Sequence, residues 1–511
     1  MAPGTRLNEV GEEYPMGVAL VYVFNLIVGT GALTMPKAIA GAGSIVGIAM
    51  LVFIAFMSFV TATFTIESMA CANALSKWTL RQKLTKKQDK MVADSDLDEP
   101  PAAINEGAGE ENPLLVDRSP EKQSESDFYV ISQRVEMGEM ASMFFRKIGV
   151  VSFYLVIIVY LYGDLAIYGA AVPKSLRDVV CDFDPNNATA NITRLALNES
   201  LPCFDGRVDG LKRFQVYQIC LTAFFLCMLP FAFFNVQKTK WLQLVTSALR
   251  WISFLMMIVI AIVRIAGETK QTRVNPPLAD INGIPNLFGA AIYSFMCHHS
   301  LPSLISPVKD KGKITSLFVI DYTLILLFYT FMCMTAVYAF DDLQDLYTLN
   351  FSPHMPTSAR MPEGWVWIKY FIALFPVFTI SASFPIIAIT LRNNLKTLFQ
   401  PKGGRPYHKC VDRVVFPLVT IIPPIFLVYF TNDVAVLVGI TGAYAGAGIQ
   451  YLLPAFLVYE ARKQLTGILG PAVKNSHKSP FQRPFWIWLT VGWCCVALIF
   501  VTWDLIKQRL G

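Results

Sequence analysis

Two apolar stretches of this 511-residue chain contain residues that could do chemistry. The first, from Asn25 to Pro36, holds two glycines and a proline, and the second, from Phe295 to Pro302, holds two histidines, a serine and a proline. Glycine and proline weaken helices, and the backbone N–H and C=O groups freed by a break need new partners. Such groups can bind a small charged solute. Hydrolase, metalloprotease and phosphate-loop motifs do not occur in the sequence, so we expect no enzymatic activity.

Each break alone has a plainer interpretation. Small residues such as Gly29 and Gly31 also form the faces on which membrane helices pack closely. The two breaks, however, fall in the first and sixth apolar spans. These positions are equivalent if spans one to five and six to ten form two inverted repeats. Paired interrupted spans of this kind are typical of the substrate site of a secondary transporter, which favours binding over packing.

The chemistry of such breaks predicts a class of substrate. Freed N–H groups and the positive end of a helix dipole attract an anionic group, and freed carbonyl groups attract a cation. A zwitterion carries both charges one carbon apart. We therefore expect an amino acid as the substrate.

The composition places both breaks in a multi-pass membrane protein. Apolar residues make up 54% of the chain and charged residues only 16%, whereas soluble chains are about a quarter charged. Apolar runs of about 20 residues predict eleven transmembrane helices and an all-α fold. The predicted spans are residues 17–40, 43–66, 149–172, 214–234, 241–264, 286–306, 316–340, 365–391, 413–431, 433–459 and 484–505. The first repeat then covers 17–264, the second covers 286–459, and 484–505 is an added eleventh helix.

The distribution of basic residues orients these spans. Most Lys and Arg fall on one side, together with residues 1–16, which predicts a cytoplasmic N-terminus and a lumenal or extracellular C-terminus. The net charge of +6 reflects this bias, and we expect no nucleic-acid partner. Loop 173–213, on the other side, contains three glycosylation sequons and two cysteines that are candidates for a disulfide. These residues are Asn187, Asn191, Asn198, Cys181 and Cys203.

Segment 77–146 differs from the rest of the chain. A basic cluster is followed by acidic residues, Pro, Gly and Ser, which predicts a disordered cytoplasmic loop. Within it, Glu110, Leu114 and Leu115 fit an acidic dileucine sorting signal, and the alternative is a chance match. The signal favours an endolysosomal membrane over the plasma membrane and predicts trafficking adaptors as partners of this loop.

Few charged residues lie inside the spans, and Asp164 lies deep in the third of them, away from any predicted end. An intramembrane carboxylate is costly, which predicts a role in proton coupling or substrate contact. The alternative is a structural partner for a hydroxyl, Lys37 or Arg250. Either His298 or His299 could face the site and titrate near the pH of acidic organelles. Arg250 and other charged residues lie nearer to span ends, where we expect their side chains to reach the interface.

The same stretches resemble a known family. Residues 25–36 resemble the first-helix motif of the amino acid/auxin permease family, and 295–302 are similar to the sixth-helix motif of its sodium-coupled branch. The run Gly439 to Gly446, followed by Pro454, resembles the glycine-rich tenth helix of that family. The resemblance implies the leucine-transporter type of five-plus-five inverted repeat with one extra helix.

The resemblance also implies site residues. Backbone N–H groups for a substrate carboxylate would come from Gly29, Thr30 and Gly31. The ammonium and the side chain of the substrate would meet Phe295, Cys297 and His298. A sodium ion would lie among Asn25, the Val28 carbonyl, Thr379 and Ser381. Membrane hydroxyls also bond to their own helix, so the sodium site and simple helix packing both remain open.

These features together predict a secondary active transporter of neutral amino acids that works by alternating access. Its driving force would be a proton or sodium gradient, with no resident cofactor other than the coupling ion, and its surroundings would be membrane lipid. The alternative is a receptor or scaffold of the same fold that senses an amino acid and signals through loop 77–146.

Overall fold

The structure is a computed structural model, and its described residues are 13–95, 128–181, 202–204, 210–233, 240–267, 276–353, 366–400, 407–470 and 473–510. These residues are almost entirely helical and include two isolated β-bridges. The helices of the first half are α1 (Met16–Ile27), α2 (Thr30–Ala42), α3 (Ser44–Ser95), α4 (Met137–Phe144), α5 (Lys147–Val180), α6 (Arg213–Phe233) and α7 (Lys240–Gly267). Those of the second half are α8 (Ile284–Ser294), α9 (Leu301–Ile305), α10 (Ile314–Ala339), α11 (Val366–Leu398), α12 (Phe416–Phe430), α13 (Val434–Thr441), α14 (Leu453–Leu469) and α15 (Pro484–Leu510).

Most of these helices are long and apolar enough to cross a membrane. Within the described ranges, nine helices meet that standard, and α1 with α2 makes a tenth span that bends by 55° at its break. The sixth predicted span is divided between α8 and the short α9, so neither part alone reaches membrane length. The all-helical membrane fold predicted from the sequence is confirmed. The length-based count reaches ten spans within the described residues, so the predicted number of eleven is not confirmed.

Gly289 and Gly442 let the sixth and tenth predicted spans approach each other closely. A side chain on Gly289 of α8 would overlap the carbonyl group of Gly439 of α13, and one on Gly442 would overlap the carbonyl group of Gly289. Backbones can come this near only when neither residue carries a Cβ atom. The glycine-rich tenth span therefore packs directly against the helix that leads into the second break.

Segment 77–146, which the sequence predicts to be a disordered loop, is helical near both of its ends. Helix α3 continues to Ser95, because its basic stretch is rich in Leu, Lys, Arg and Gln, which are good helix formers. Helix α4 begins at a capping box in which Glu136 and Glu139 each accept a backbone N–H. The sorting residues Glu110, Leu114 and Leu115 lie outside the described residues.

The two interrupted spans are joined at both ends. At the end nearest the N-terminus, Tyr14 N–H donates to Pro307 O at 3.0 Å and Lys309 N–H donates to Tyr14 O at 3.2 Å. At the opposite end, Asp280 N–H donates to Ala42 O at 2.8 Å. Because backbone hydrogen bonds clamp both ends, α1, α2, α8 and α9 form one unit of the fold.

A buried ion pair joins three elements at that opposite end. Lys174 of α5 contacts Asp345 at 2.5 Å, and the N–H of Val434 donates to the same carboxylate at 3.0 Å. Burial by itself raises the pKa of Asp345, but the Lys174 ammonium and these hydrogen bonds hold it below the ordinary value. The segment after α10, helix α5 and the start of α13 are thereby fixed together.

Removing the carboxylate charge should destabilise the protein. The substitution Asp345→Asn leaves the Lys174 ammonium buried without its counter-ion, which costs about 3–5 kcal/mol. We expect a melting temperature several degrees lower at pH 7 in a thermal-denaturation assay. The lowered pKa means that this stabilisation is present above the unfolded carboxyl value of 3.8 and is lost as pH falls through the folded value. The difference between wild type and variant should therefore shrink below that pH.

The matched control is the exposed pair of Asp310 and Lys313, whose side chains are 49% and 69% exposed. The substitution Asp310→Asn should cost less than about 1 kcal/mol, because water screens both charges. Equal losses in the two variants would contradict a structural role for the buried pair.

Candidate functional site

The break in the first span frees backbone carbonyl groups in the membrane. Helix α1 ends at Ile27, and α2 begins at Thr30 after a bend of 55°. The Arg250 side chain of α7 donates from Nη1 to the carbonyl oxygens of Asn25 at 2.6 Å and Val28 at 2.8 Å. The Tyr329 hydroxyl of α10 donates to Ile27 O at 3.1 Å. Side chains of two other helices therefore replace the lost helical hydrogen bonds.

At the break in the sixth span, side chains of neighbouring helices likewise bond to the freed carbonyl groups. The Tyr329 hydroxyl also lies 3.0 Å from Ser294 O, at the end of α8, so the carbonyl groups of the two breaks share its single proton. The Ser58 hydroxyl of α3 donates to Phe295 O at 3.3 Å. The backbone of this unwound stretch is thus held by α3 and α10.

The two breaks touch each other at Gly31. A Cβ atom on Gly31 would lie 2.7 Å from the Cα atom of Ser294, closer than real Cβ atoms approach a backbone. Only a glycine at this position leaves room for α2 and α8 to meet. The first turn of α2 therefore lies directly against the end of α8.

A small cavity of about 20 Å³ opens beside the first break. Helix α2 and its preceding residue form one wall, and α5, α7 and α11 form the others. Its lining residues are Gly29, Thr30, Leu33, Tyr168, Arg250, Phe375, Thr379, Ile380 and Ser383. The volume is enough for water but far below that of an amino acid, so substrate entry needs a more open conformation.

The predicted residues of the first span and of α11 fall partly in this lining. Gly29, Thr30 and Thr379 border the cavity, but Ser383 lines it in place of Ser381. Helical geometry explains the difference, because residues i and i+4 share a face and residue i+2 points away. The Thr379 hydroxyl also donates to Phe375 O at 2.9 Å, the local bond that was the alternative to ion binding. The side-chain oxygen of Asn25 is buried without a partner in the described structure.

The predicted residues of the sixth span face elsewhere. Cys297 Sγ lies 3.4 Å from the Tyr322 hydroxyl, and His298 Nε2 lies 2.9 Å from the Thr61 hydroxyl. Phe295 is fully buried against the rings of α10. These side chains contact α3 and α10, whereas His299 lies near the ring of Tyr160 at a centroid distance of 5.5 Å. The cavity borders α2, not this part of the sixth span.

Asp164 of α5 is buried beside the sixth span. The Tyr293 hydroxyl donates to its Oδ1 atom at 2.6 Å. Lys37 and Arg250, the basic partners considered from the sequence, are not bonded to it, since Arg250 is bonded to the carbonyl groups of α1. The carboxyl group therefore contacts the last turn of α8 directly, one residue before Ser294.

Three polar residues inside the helices are not predicted correctly from the sequence. Arg250 lies in the interior of α7, so its assignment to a span end was wrong, as its position in the helix already indicated. Asp321 of α10 is fully buried, and neither carboxyl oxygen has a hydrogen-bond partner in the described part of the chain. It lies well inside an apolar span, a signal that was available. Tyr329 carries no such signal, because its role depends on tertiary contacts.

Only part of loop 173–213, between the third and fourth predicted spans, is among the described residues. Cys181 and Cys203 are joined by a disulfide in the structure. The sequon residues Asn187, Asn191 and Asn198 lie outside the described residues.

Two interrupted spans that meet inside an all-helical bundle define a class of multi-pass membrane protein whose best-known members are transporters. The family profile described as "Transmembrane amino acid transporter protein" matches residues 195–505. The chain belongs to this family. It is similar to "Transmembrane protein 104" of Mus musculus, with 50% identity over 97% of both chains, and of Homo sapiens, with 49% identity over 99% of both chains. A "Transmembrane protein 104 homolog" of Dictyostelium discoideum is 33% identical over 97% of this chain and 98% of its own.

Adding a methyl group at the contact between the breaks should damage the site. The substitution Gly31→Ala forces α2 away from α8 at an overpacking cost of about 1–3 kcal/mol. We expect a melting temperature several degrees lower. Gly41→Ala, in the same helix, is the control, because a Cβ there meets nothing within 4 Å. That change should be neutral or slightly stabilising. Identical behaviour of the two variants would contradict the close contact.

Proposed function

We propose that this protein is a secondary active transporter of neutral amino acids that works by alternating access. The observation that carries the proposal is the contact of the two helix breaks at Gly31 and Ser294, beside a polar cavity. The N–H of Gly29 donates to Ile27 O at 2.9 Å, and that of Ala32 donates to Gly29 O at 3.2 Å. In the described structure this leaves the N–H groups of Thr30 and Gly31 for a ligand at the start of α2. They suit the carboxylate of an amino acid. Membership of the transmembrane amino acid transporter family supports the same substrate class.

The packing supports a simple mechanical scheme. The unit of α1, α2, α8 and α9 moves against a scaffold that includes α5 and α11, and the cavity lies between them. The buried contacts of Lys174 and Asp345 close the end opposite Tyr14. Opening would need that end or the other to separate while the breaks keep their own contacts. Substrate would then reach α2 from one side at a time.

Asp164 is the group best placed to couple transport to protons. Its carboxyl group is bonded to Tyr293, on the last turn before the second break. A change in the protonation of Asp164 alters that hydrogen bond and thereby the packing of α8 against α5. Because α8 touches Gly31, the change reaches the substrate wall directly. In this scheme one proton enters with one substrate.

The sequence supports further proposals about place and partners. We assign the N-terminus to the cytoplasm from the bias of basic residues and propose an endolysosomal membrane from Glu110, Leu114 and Leu115, with trafficking adaptors binding that segment. Asn187, Asn191 and Asn198 would carry glycans on the opposite side. Exchange of both leucines for alanine should move the protein to the cell surface, which surface biotinylation would reveal.

The function is tested with purified full-length protein in proteoliposomes. A panel of radiolabelled neutral amino acids is offered at two external pH values, and empty liposomes serve as the control. We expect saturable uptake of at least one amino acid that is faster when the external side is acidic. Binding without flux across the whole panel would contradict transport and support the sensing alternative.

The role of Asp164 predicts a specific defect. Asp164→Asn keeps the shape of the side chain but cannot release a proton. We expect uptake driven by a pH gradient to fall by about tenfold or more, the scale of a lost charged hydrogen bond, while exchange of substrate at equal pH persists. The comparison is Asp321→Asn, the same change at the buried acid of α10, which should keep its gradient dependence. The reverse pattern would contradict the role of Asp164.

A further inference from the structure

The cation position beside the first break is already taken by a side chain. The sequence resemblance placed a sodium ion among Asn25, the Val28 carbonyl and hydroxyls of α11. In the structure, Nη1 of Arg250 lies 2.6 Å from the carbonyl oxygen of Asn25 and 2.8 Å from that of Val28. Two carbonyl dipoles that could hold a metal ion thus point at a guanidinium group. The residues present do not fit a sodium ion in this arrangement.

The surroundings of Arg250 agree with a resident cation. The side chain lines the cavity together with Thr379 and Ser383, the hydroxyl residues of α11 that share a helix face. Its hydrogen bonds in the described structure go to carbonyl oxygens, and no carboxylate is paired with it there. Arginine stays protonated in proteins, so this charge does not leave. Carbonyl dipoles and hydroxyl oxygens are the groups that would otherwise surround sodium.

We propose that Arg250 is a built-in replacement for a coupling sodium ion, so that the protein works without sodium. The guanidinium group belongs to α7 and holds the end of α1 permanently, whereas a sodium ion among Asn25, the Val28 carbonyl and the hydroxyls of α11 would tie α1 to α11 and depart in each cycle. A fixed cation removes sodium from the cycle and leaves protons as the coupling ion. This inference rests on the proposed transport function for its flux readout but not for its stability readout.

The first test measures ion dependence of stability in purified full-length protein. Melting temperature is recorded with sodium chloride and with choline chloride at equal ionic strength. We expect the same value in both salts. A higher melting temperature in sodium, rising with its concentration, would overturn the inference even if no transport substrate were known.

The second test separates charge from hydrogen bonding at Arg250. Arg250→Lys keeps a positive charge, and Arg250→Gln keeps N–H donors without the charge. We expect the lysine variant to stay near wild type and the glutamine variant to melt about 5 °C lower, the scale of a lost charged contact in a large chain. Arg264→Gln, on the same helix but stacked over the ring of Phe340 at 4.5 Å, controls for loss of a guanidinium from α7. Equal melting of the lysine and glutamine variants would overturn the inference.

The third readout is uptake in proteoliposomes with sodium or choline outside. Equal uptake in the two salts, retained by Arg250→Lys and reduced at least about tenfold in Arg250→Gln, is the expected result. Sodium-dependent uptake by wild type would overturn the role of Arg250 and leave the transport function intact. Absence of any uptake, together with salt-independent melting, would instead contradict the transport function and support the resident cation.

Discussion

The need to satisfy freed backbone groups away from water governs this structure. In a bilayer interior an unpaired carbonyl or N–H costs several kcal/mol, so a membrane helix can break only where other groups replace its hydrogen bonds. Here the replacements are single side chains from neighbouring helices. Tyr329 bonds to Ile27 O and Ser294 O, while Arg250 bonds to two carbonyl groups of the first break. The position of α10 and α7 follows from that demand.

These replacement hydrogen bonds also determine which helices are linked to each other. Tyr329 reaches both breaks, and Gly31 touches Ser294, so the two interrupted spans are linked directly to each other. Arg250 comes from α7, and its hydrogen bonds within the described residues go to the first of them. If α1 moves relative to α7, these two charged hydrogen bonds must break unless the Arg250 side chain moves with α1. Because each is worth about 1.5–3 kcal/mol, Arg250 can set the balance between conformations.

Sequence patterns predicted the features that depend on local residue types. Glycine at Gly29 and Gly31 indicated the first break, and apolar length indicated the helices. Contacts between distant segments were beyond reach, as with Tyr329, whose two acceptors lie 302 and 35 residues away. Among the hydroxyls of the run from Thr379 to Ser383, Ser381 is the predicted ligand beside Thr379, whereas helical spacing places Ser383 on the same face as Thr379. The side chains of the sixth span are predicted to meet the substrate, and that stays a prediction. In the structure a short turn directs His298 toward α3 and Cys297 toward α10, which the sequence could not show.

The separation of the positive and negative charges bears on the proposed coupling of transport to protons. A carboxylate paired with an arginine is held in its ionised form, because the cation stabilises the charge. Arg250 is instead neutralised by carbonyl dipoles, and Asp164 is bonded to the neutral hydroxyl of Tyr293. The acid therefore has no fixed counter-ion in the described structure to prevent it from taking up a proton. Had the two residues been paired, the protein would hold one buried salt bridge and lose both a resident cation and a titratable group.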